Sequence, residues 1–390
     1  MMNAVLLGLL LGSAALFGQE VKTVPYLPLV YEVRFPPTPV KGEGRFHLIY
    51  ELHLANFSRR EVTLRRIEVL GKAKDLLKAY EGDQLAESLT RPGKPLDVEN
   101  KLVLEGGAQA VLFIMVSFKS RAEIPGSLTH RVTADYLKGK EEKVILQGEG
   151  AQVTVNQKDP PVIGPPVRPG VWLAGNGPGD GPVGHRLSLQ PWNGKLVVNE
   201  RYAIDFMKFD QEYRLVRGDS SRNASWGSYG QEVIAVADGV VAGAKDGIIE
   251  NTPLKEYAVP NTLELAAGNT IVLDIGQGSY AVYAHLKPES LKVKVGDLVR
   301  KGQALALIGN SGISDAPHLH FHLIDSNSAL GGEGLPFVFE RYEVLGPFEQ
   351  MDDRLDKAWS PSGKITVRIR EMPLGDAVIR FPGRPLLSSR

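Results

Sequence analysis

The hydrophobic and polar positions of this chain follow the two-residue period of strands far more than the helical period. Phe46 to Leu54 alternates over much of its length. Val62-Thr63-Leu64-Arg65 and Ile67-Glu68-Val69 alternate on either side of Arg66. Ala110 to Val116 is the unbroken apolar run expected of a buried strand. With polar and Gly-containing turns between them, these segments predict an immunoglobulin-like β-sandwich over residues 19–158. Asp75 to Leu89 predicts a short helix or a loop. His47, His53 and His130 have no third His or acidic cluster beside them and read as structural residues.

Residues 184–344 repeat the all-β pattern. Two hairpins are predicted: Val233–Ala237 with Val240–Ala244 around Asp238-Gly239, and Ile271–Ile275 with Tyr280–Leu286 around Gly276-Gln277-Gly278. Lys245 to Gly268 reads as an irregular insertion. Between the two all-β regions, residues 159–183 predict a linker, because thirteen of the 24 residues 159–182 are Pro or Gly. Its apolar Val171-Trp172-Leu173-Ala174 should lie against a domain. Residues 345–390 form a C-terminal extension in which Lys364 to Arg370 could add a strand. With this division, a fragment starting near Pro169 is expected to fold alone.

Ala4 to Phe17 is apolar apart from Gly8, Gly12 and Ser13. It is too short for a bilayer span, which needs about 20 residues, and suits a signal peptide over residues 1–18. The expectation is an exported protein with no membrane span after signal removal. At 390 residues the chain has room for two domains. Basic and acidic residues balance at 45 each, which gives no footprint for bulk nucleic-acid binding. Cysteine is absent, excluding disulfides, thiolate metal sites and a Cys nucleophile. Oligomeric state has no signature in the sequence.

Chemistry concentrates in one stretch. Pro317-His318-Leu319-His320-Phe321-His322-Leu323 alternates strictly, so a strand there sets three imidazoles on one face and three apolar side chains on the other. Imidazole is the commonest protein metal ligand and a frequent general base. Five of the eight histidines, at 185, 285, 318, 320 and 322, lie in residues 184–344. His285 and Asp205 each stand in otherwise apolar strand runs. His322 shares the face of His318 and His320 but lies two residues further on, which suggests a rim or structural role.

Four segments, in order and spacing, resemble the lysostaphin-type (LytM-type) zinc endopeptidases of metallopeptidase family 23. They are Tyr283-Ala284-His285-Leu286, Val295 to Gln303, Gly309-Asn310-Ser311-Gly312, and His318-Leu319-His320-Phe321. The resemblance covers roughly 160 residues by the span of its segments. It implies an antiparallel β-sheet peptidase domain with an open groove. It also implies one Zn²⁺ and hydrolysis of peptide bonds in peptidoglycan cross-links or stems. By the same resemblance His320 and Asp205 bind zinc, while His285 and His318 handle protons and the developing oxyanion. The family's His-x-x-x-Asp motif is Arg201-Tyr202-Ala203-Ile204-Asp205 here, so one ligand is missing. A guanidinium is not a metal ligand. A branch of the family with Arg-Tyr/Phe-Ala-Ile-Asp in this place also resembles the chain across Asn176-Gly177-Pro178 and His185-Arg186, so His185 is the expected replacement, brought back by a turn at Pro191-Trp192-Asn193-Gly194. The alternative pairs Arg201 with Asp205 and leaves a catalytically inactive relative that binds peptidoglycan or activates a cell-wall amidase.

Overall fold

The computed structural model describes residues 21–23, 27–138, 142–349, 357–361 and 363–383. The expected signal peptide lies outside them. Among the described residues, no helix is long and apolar enough to cross a membrane.

The N-terminal part is two packed sheets. One is built on Arg45–Ala55 paired with Gln109–Phe118. The other is built on Val62–Leu70, Ser127–Lys138 and Glu142–Thr154. Their facing side chains, among them Leu52, Ile114, Leu64 and Val132, form one apolar cluster. Asp75 to Leu89 divides into a strand, Leu76–Glu81, and a one-turn helix, Gly82–Glu87. His130 is bonded to Tyr50, and His47 to Ser117 and Gly42.

The rest of the chain is organised on a twelve-stranded sheet. Its centre runs Gly170–Gly175, Ile204–Lys208, Leu319–Ile324, Tyr280–Leu286, Asn269–Asp274, Gly239–Lys245, all antiparallel neighbours. One face carries Trp172, Phe206, Tyr283 and Phe321 into a single core. The turn after Asn269–Asp274 passes through Gly276, Gln277 and Gly278, all at positive φ, as the predicted hairpin requires.

Three expectations change. The segment expected as a linker holds an interior strand, Gly170–Gly175, bonded to Ile204–Lys208 on one side and Ala377–Phe381 on the other. Its apolar centre buries Trp172 completely, which outweighs the surrounding Pro and Gly. The domain end expected at residue 344 falls inside Val338–Pro347, and the extension supplies Thr366–Glu371 and Ala377–Phe381 to the same sheet. The hairpin expected around Asp238-Gly239 does not form. Glu232–Ile234 pairs with Ala304–Leu307, and Gly239–Lys245 with Asn269–Asp274.

The two all-β parts also share buried contacts. Val40 and Ile49 of the N-terminal part are fully buried members of the large sheet's core. The hydroxyl of Tyr202 donates to the carbonyl of Ile49. A fragment cut near Pro169 would expose that surface, so independent folding is no longer expected.

Candidate active site

Strand register assembles the site. Asp205 stands opposite His320, and His320 opposite Ala284, so three adjacent strands meet at one level of the sheet. All six residues of Leu319–Ile324 are buried. Leu319, Phe321 and Leu323 enter the core, and His320 and His322 face the other side, as the alternation predicts. His318 lies just before this strand and His285 near the end of Tyr280–Leu286. His285 is held at φ 59° beside an irregularity in the pairing of its strand. Its amide donates to the carbonyl of Ala267 instead of continuing the ladder. Such a conformation is costly for a residue with a Cβ and persists only where its surroundings impose it.

His185 reaches the same point from outside the sheet. It sits on a short 3-10 turn, Gly184–Leu187, ahead of a hairpin formed by Leu189–Trp192 and Lys195–Val198. That hairpin is the reversal expected at Pro191 to Gly194. His185 Nε2 lies 3.3 Å from Asp205 Oδ2. On the other side His320 Nδ1 lies 3.1 Å from Asp205 Oδ1. Ligand atoms of His185, Asp205 and His320 all fall within 4.8 Å of one another. Four donors about 2.0–2.1 Å from a tetrahedral metal ion are separated by about 3.3–3.4 Å; the His185–Asp205 contact has that spacing, and the His320–Asp205 contact, made to the other carboxylate oxygen, is slightly shorter.

Hydrogen bonds behind the rings fix which nitrogens face inward. The Nδ1–H groups of His185, His285 and His318 donate to the carbonyls of Asn176, Ser311 and Ala316, at 3.1, 2.8 and 2.7 Å. Each ring therefore turns its Nε2 to the cavity. His320 is reversed. His322 Nε2–H donates to the Ala329 carbonyl at 3.1 Å, so His322 Nδ1 accepts from His320 Nε2–H, also at 3.1 Å. The lone pair of His320 is thereby placed on Nδ1, the nitrogen beside Asp205. Glu200 Oε1, 3.5 Å from His320 Nε2, supports the same orientation. His322 is thus neither a rim residue nor a member of the ligand cluster: it sets the tautomer of His320. Replacing His322 with Leu is expected to weaken metal binding about tenfold or more. His322→Asn keeps an acceptor near the same place and should retain most of the affinity. Metal titration of both stripped variants checks this.

Arg201 points away from Asp205. Its guanidinium is buried against Glu51 and Glu333, at 2.8 and 2.9 Å. The alternative in which Arg201 occupies the metal position by pairing with Asp205 therefore does not occur.

Electrostatics follow from burial and proximity. Burial disfavours an ionised Asp205, but His185 and His318 hold its carboxyl well below the usual range. Burial also opposes a charged His185, yet the Asp205 carboxylate, with Glu200 beyond it, pushes that imidazole up to about 9. For His318 burial is likewise outweighed by Asp205, and the pKa is raised. Burial, then the neighbouring His318 and His320, holds His285 well below its ordinary value.

The cluster opens into a cavity of about 550 Å³. Its walls include apolar Leu263 and Ala266 from a short helix, Leu263–Ala266, and Ile313 and Leu330 from loops around the sheet. Asn176, whose amide donates to Asp205 Oδ2 at 2.9 Å, lies in the Asn176-Gly177-Pro178 stretch that carries the branch resemblance, whereas Glu200 was not singled out from the sequence. Glu200 sits in no pattern that sets it apart from an ordinary polar loop residue.

Residues 226–331 match the family model described as Peptidase family M23. The matched region contains His285, His318 and His320 and excludes His185 and Asp205. Over 55 residues the chain is 49% identical to an uncharacterized metalloprotease of Haemophilus influenzae, covering 14% of this chain and 11% of that protein. Over 94 residues it is 30% identical to an uncharacterized metalloprotease of Buchnera aphidicola, covering 24% and 20%. The chain thus matches a tenth to a fifth of the length of these relatives. Among solved structures, the catalytic domain of the antimicrobial peptidase lysostaphin from Staphylococcus simulans is similar at 24% identity. That match has a TM-score of 0.23 and covers 43% of this chain and 88% of that one.

Proposed function

We propose that this chain, which carries a Peptidase family M23 domain, is an exported zinc-dependent endopeptidase that hydrolyses peptide bonds of peptidoglycan cross-links or stems. The observation that carries the reading is the convergence of His185 Nε2, an Asp205 oxygen and His320 Nδ1 on one point of the cavity wall. Two imidazoles and one carboxylate, with no cysteine in the chain, form a donor set that zinc accepts, His185 giving up its proton on binding, and that leaves a fourth position free. Bound there, zinc would supply a Lewis acid and a water acidic enough to be deprotonated near neutral pH.

The chain's own residues supply the rest. Ring centroids of His285 and His318 are 4.8 Å apart, and His318 Nε2 lies 3.4 Å from Asp205 Oδ1. Each offers Nε2 to the cavity. One can accept the proton of the attacking water, carry it to the leaving amine, and so avoid expelling a free amide anion. The other can donate to the oxygen of the scissile carbonyl as negative charge builds on it. Apolar Leu263, Ile313 and Leu330 line the cavity that holds these groups. The family match and the apolar-walled cavity support a peptide substrate; peptidoglycan and export are extensions from the resemblance and from the apolar Ala4 to Phe17.

The test is clearance of isolated peptidoglycan by the purified protein, read as turbidity loss and as new amino groups. Stripping the metal with a chelator should abolish clearance, and one equivalent of Zn²⁺ should restore it. A protein that binds no metal, or that clears peptidoglycan equally well after stripping, would refute the reading.

A further inference from the structure

We infer that Glu51 and Arg186 hold the metal ligand His185 in position, which makes the N-terminal sandwich a working part of the metal centre. The inference rests on the metal-site reading above.

His185 rides on a segment with little tendency to hold its own shape. Six of the twelve residues 176–187 are Gly or Pro. Asn176, Gly181 and Gly184 are at φ 55°, 89° and 51°. The 3-10 turn that carries His185 has no side-chain cap. Ordering such a stretch costs conformational entropy that its few apolar side chains do not offset.

The next residue provides the anchor. Arg186 is 1% exposed. Its Nη1 donates to the carbonyls of Gly179 and Gly181, at 2.7 and 3.3 Å, and draws the loop onto itself. Its Nη2 donates into the sandwich, to the carbonyls of Tyr50 and Ile114 and to Glu51 Oε1, at 3.0, 3.3 and 3.3 Å. The ring of Phe113 lies 5.2 Å from the guanidinium. Lys78, also in the sandwich, pairs with Asp180 at the loop's edge.

The second oxygen of Glu51 accepts from Arg201 Nε at 2.9 Å. Arg201 follows Glu200, which touches His320, and precedes the strand of Asp205. One buried carboxylate therefore grips both segments that converge on the metal. A buried carboxylate between two guanidiniums carries a large desolvation cost, and apolar packing could join two domains equally well. What an ionic fork adds is a fixed geometry.

A residue that merely joins the two parts would shift the unfolding temperature and leave metal affinity unchanged wherever the protein is folded. A positioning residue changes the affinity itself. The experiment titrates Zn²⁺ against a competing chelator into stripped full-length protein, at a temperature where circular dichroism shows the fold intact. Arg186→Met, which keeps the bulk and removes the fork, should raise the zinc Kd at least about tenfold. Glu51→Gln should act in the same direction, and it decides the matter if Arg186→Met is not recovered folded. Leu64→Ala, in the sandwich's own core, should lower the unfolding temperature and leave the Kd as it was. Wild-type affinity in folded Arg186→Met and Glu51→Gln overturns the inference and leaves the metal site standing. Equal weakening in Leu64→Ala overturns it as well, since general loosening would then suffice. Absence of zinc binding in the unaltered protein overturns the metal-site reading and this inference together.

Discussion

Alanine at His285 or at His318 is expected to lower turnover at least about 10²-fold while metal content stays at the wild-type level. A positioned proton-transfer group contributes about 10²–10⁴-fold, and one donor to a developing oxyanion about 10²–10³-fold. Neither ring is needed to complete the group of His185, Asp205 and His320. Both keep Nδ1 occupied by a backbone carbonyl and Nε2 directed inward, so truncation removes chemistry and leaves the metal's donors in place. The double variant should be little slower than the worse single one, because the two rings act in the same step. Steady-state rates on a soluble peptide, with elemental analysis of the same preparations, check all of this. Near-wild-type turnover in either single variant removes that residue from the proposed roles.

Side chains with a periodic signature could be located from the sequence. His318, His320 and His322 declare a common face through strict alternation, and the structure places His320 and His322 on it. Asp205 and His285 stood out as single polar residues in apolar strand runs. His185 followed from a shortage: one ligand was missing, and a turn downstream allowed the chain to return. Its tether left no trace. Arg186 figured only as the neighbour of His185 in the branch resemblance and Glu51 not at all, and their meeting joins positions 135 residues apart. Nothing local encodes a contact of that range. The position of Arg201 was visible, but its direction was set by Glu51 and Glu333, both more than 130 residues away.

The fold divides in the same way. Alternation identified strands well and their partners badly. Val233–Ala237 and Val240–Ala244 flank a good turn dipeptide, yet each half pairs with a strand from elsewhere. Turn chemistry specifies a reversal, whereas pairing is decided by which apolar faces can be buried together. Gly170–Gly175 was hidden by averaging. The high Pro and Gly content belongs to its flanks, and its four apolar residues fill an interior position between Ile204–Lys208 and Ala377–Phe381. Thr366–Glu371 was visible as the strand expected at Lys364 to Arg370, but Ala377–Phe381 was obscured because its partners are Val338–Pro347, which crosses the expected domain end, and Gly170–Gly175, which lies inside the expected linker.

The other large effect is expected at His185. His185→Ala should weaken metal binding by more than about 10²-fold, beyond the ten- to hundredfold typical of residues that only orient a ligand. The reason is geometric. Asp205 and His320 supply two donors, and a site with two protein ligands lacks the three that catalytic zinc sites use. His185 Nε2 closes a group with them, 3.3 Å from Asp205 Oδ2, while His318, whose Nε2 is 3.4 Å from Asp205 Oδ1, groups instead with His285 and His320. Arg201 cannot substitute, since it bears no lone pair and is committed to Glu51 and Glu333. His322 cannot readily do so, because its Nδ1 already accepts from His320 and its Nε2–H is bonded to Ala329. Asp205→Ala should match His185→Ala in metal loss, and it should also remove the charge that raises His185 and His318. Arg201→Lys should behave differently, retaining His185 and the metal donors while disturbing the Glu51 fork. Metal content after dialysis and zinc titration of the three variants distinguish these outcomes. Full metal retention in His185→Ala would leave the family's missing ligand unreplaced by this residue and would require another donor beside Asp205 and His320.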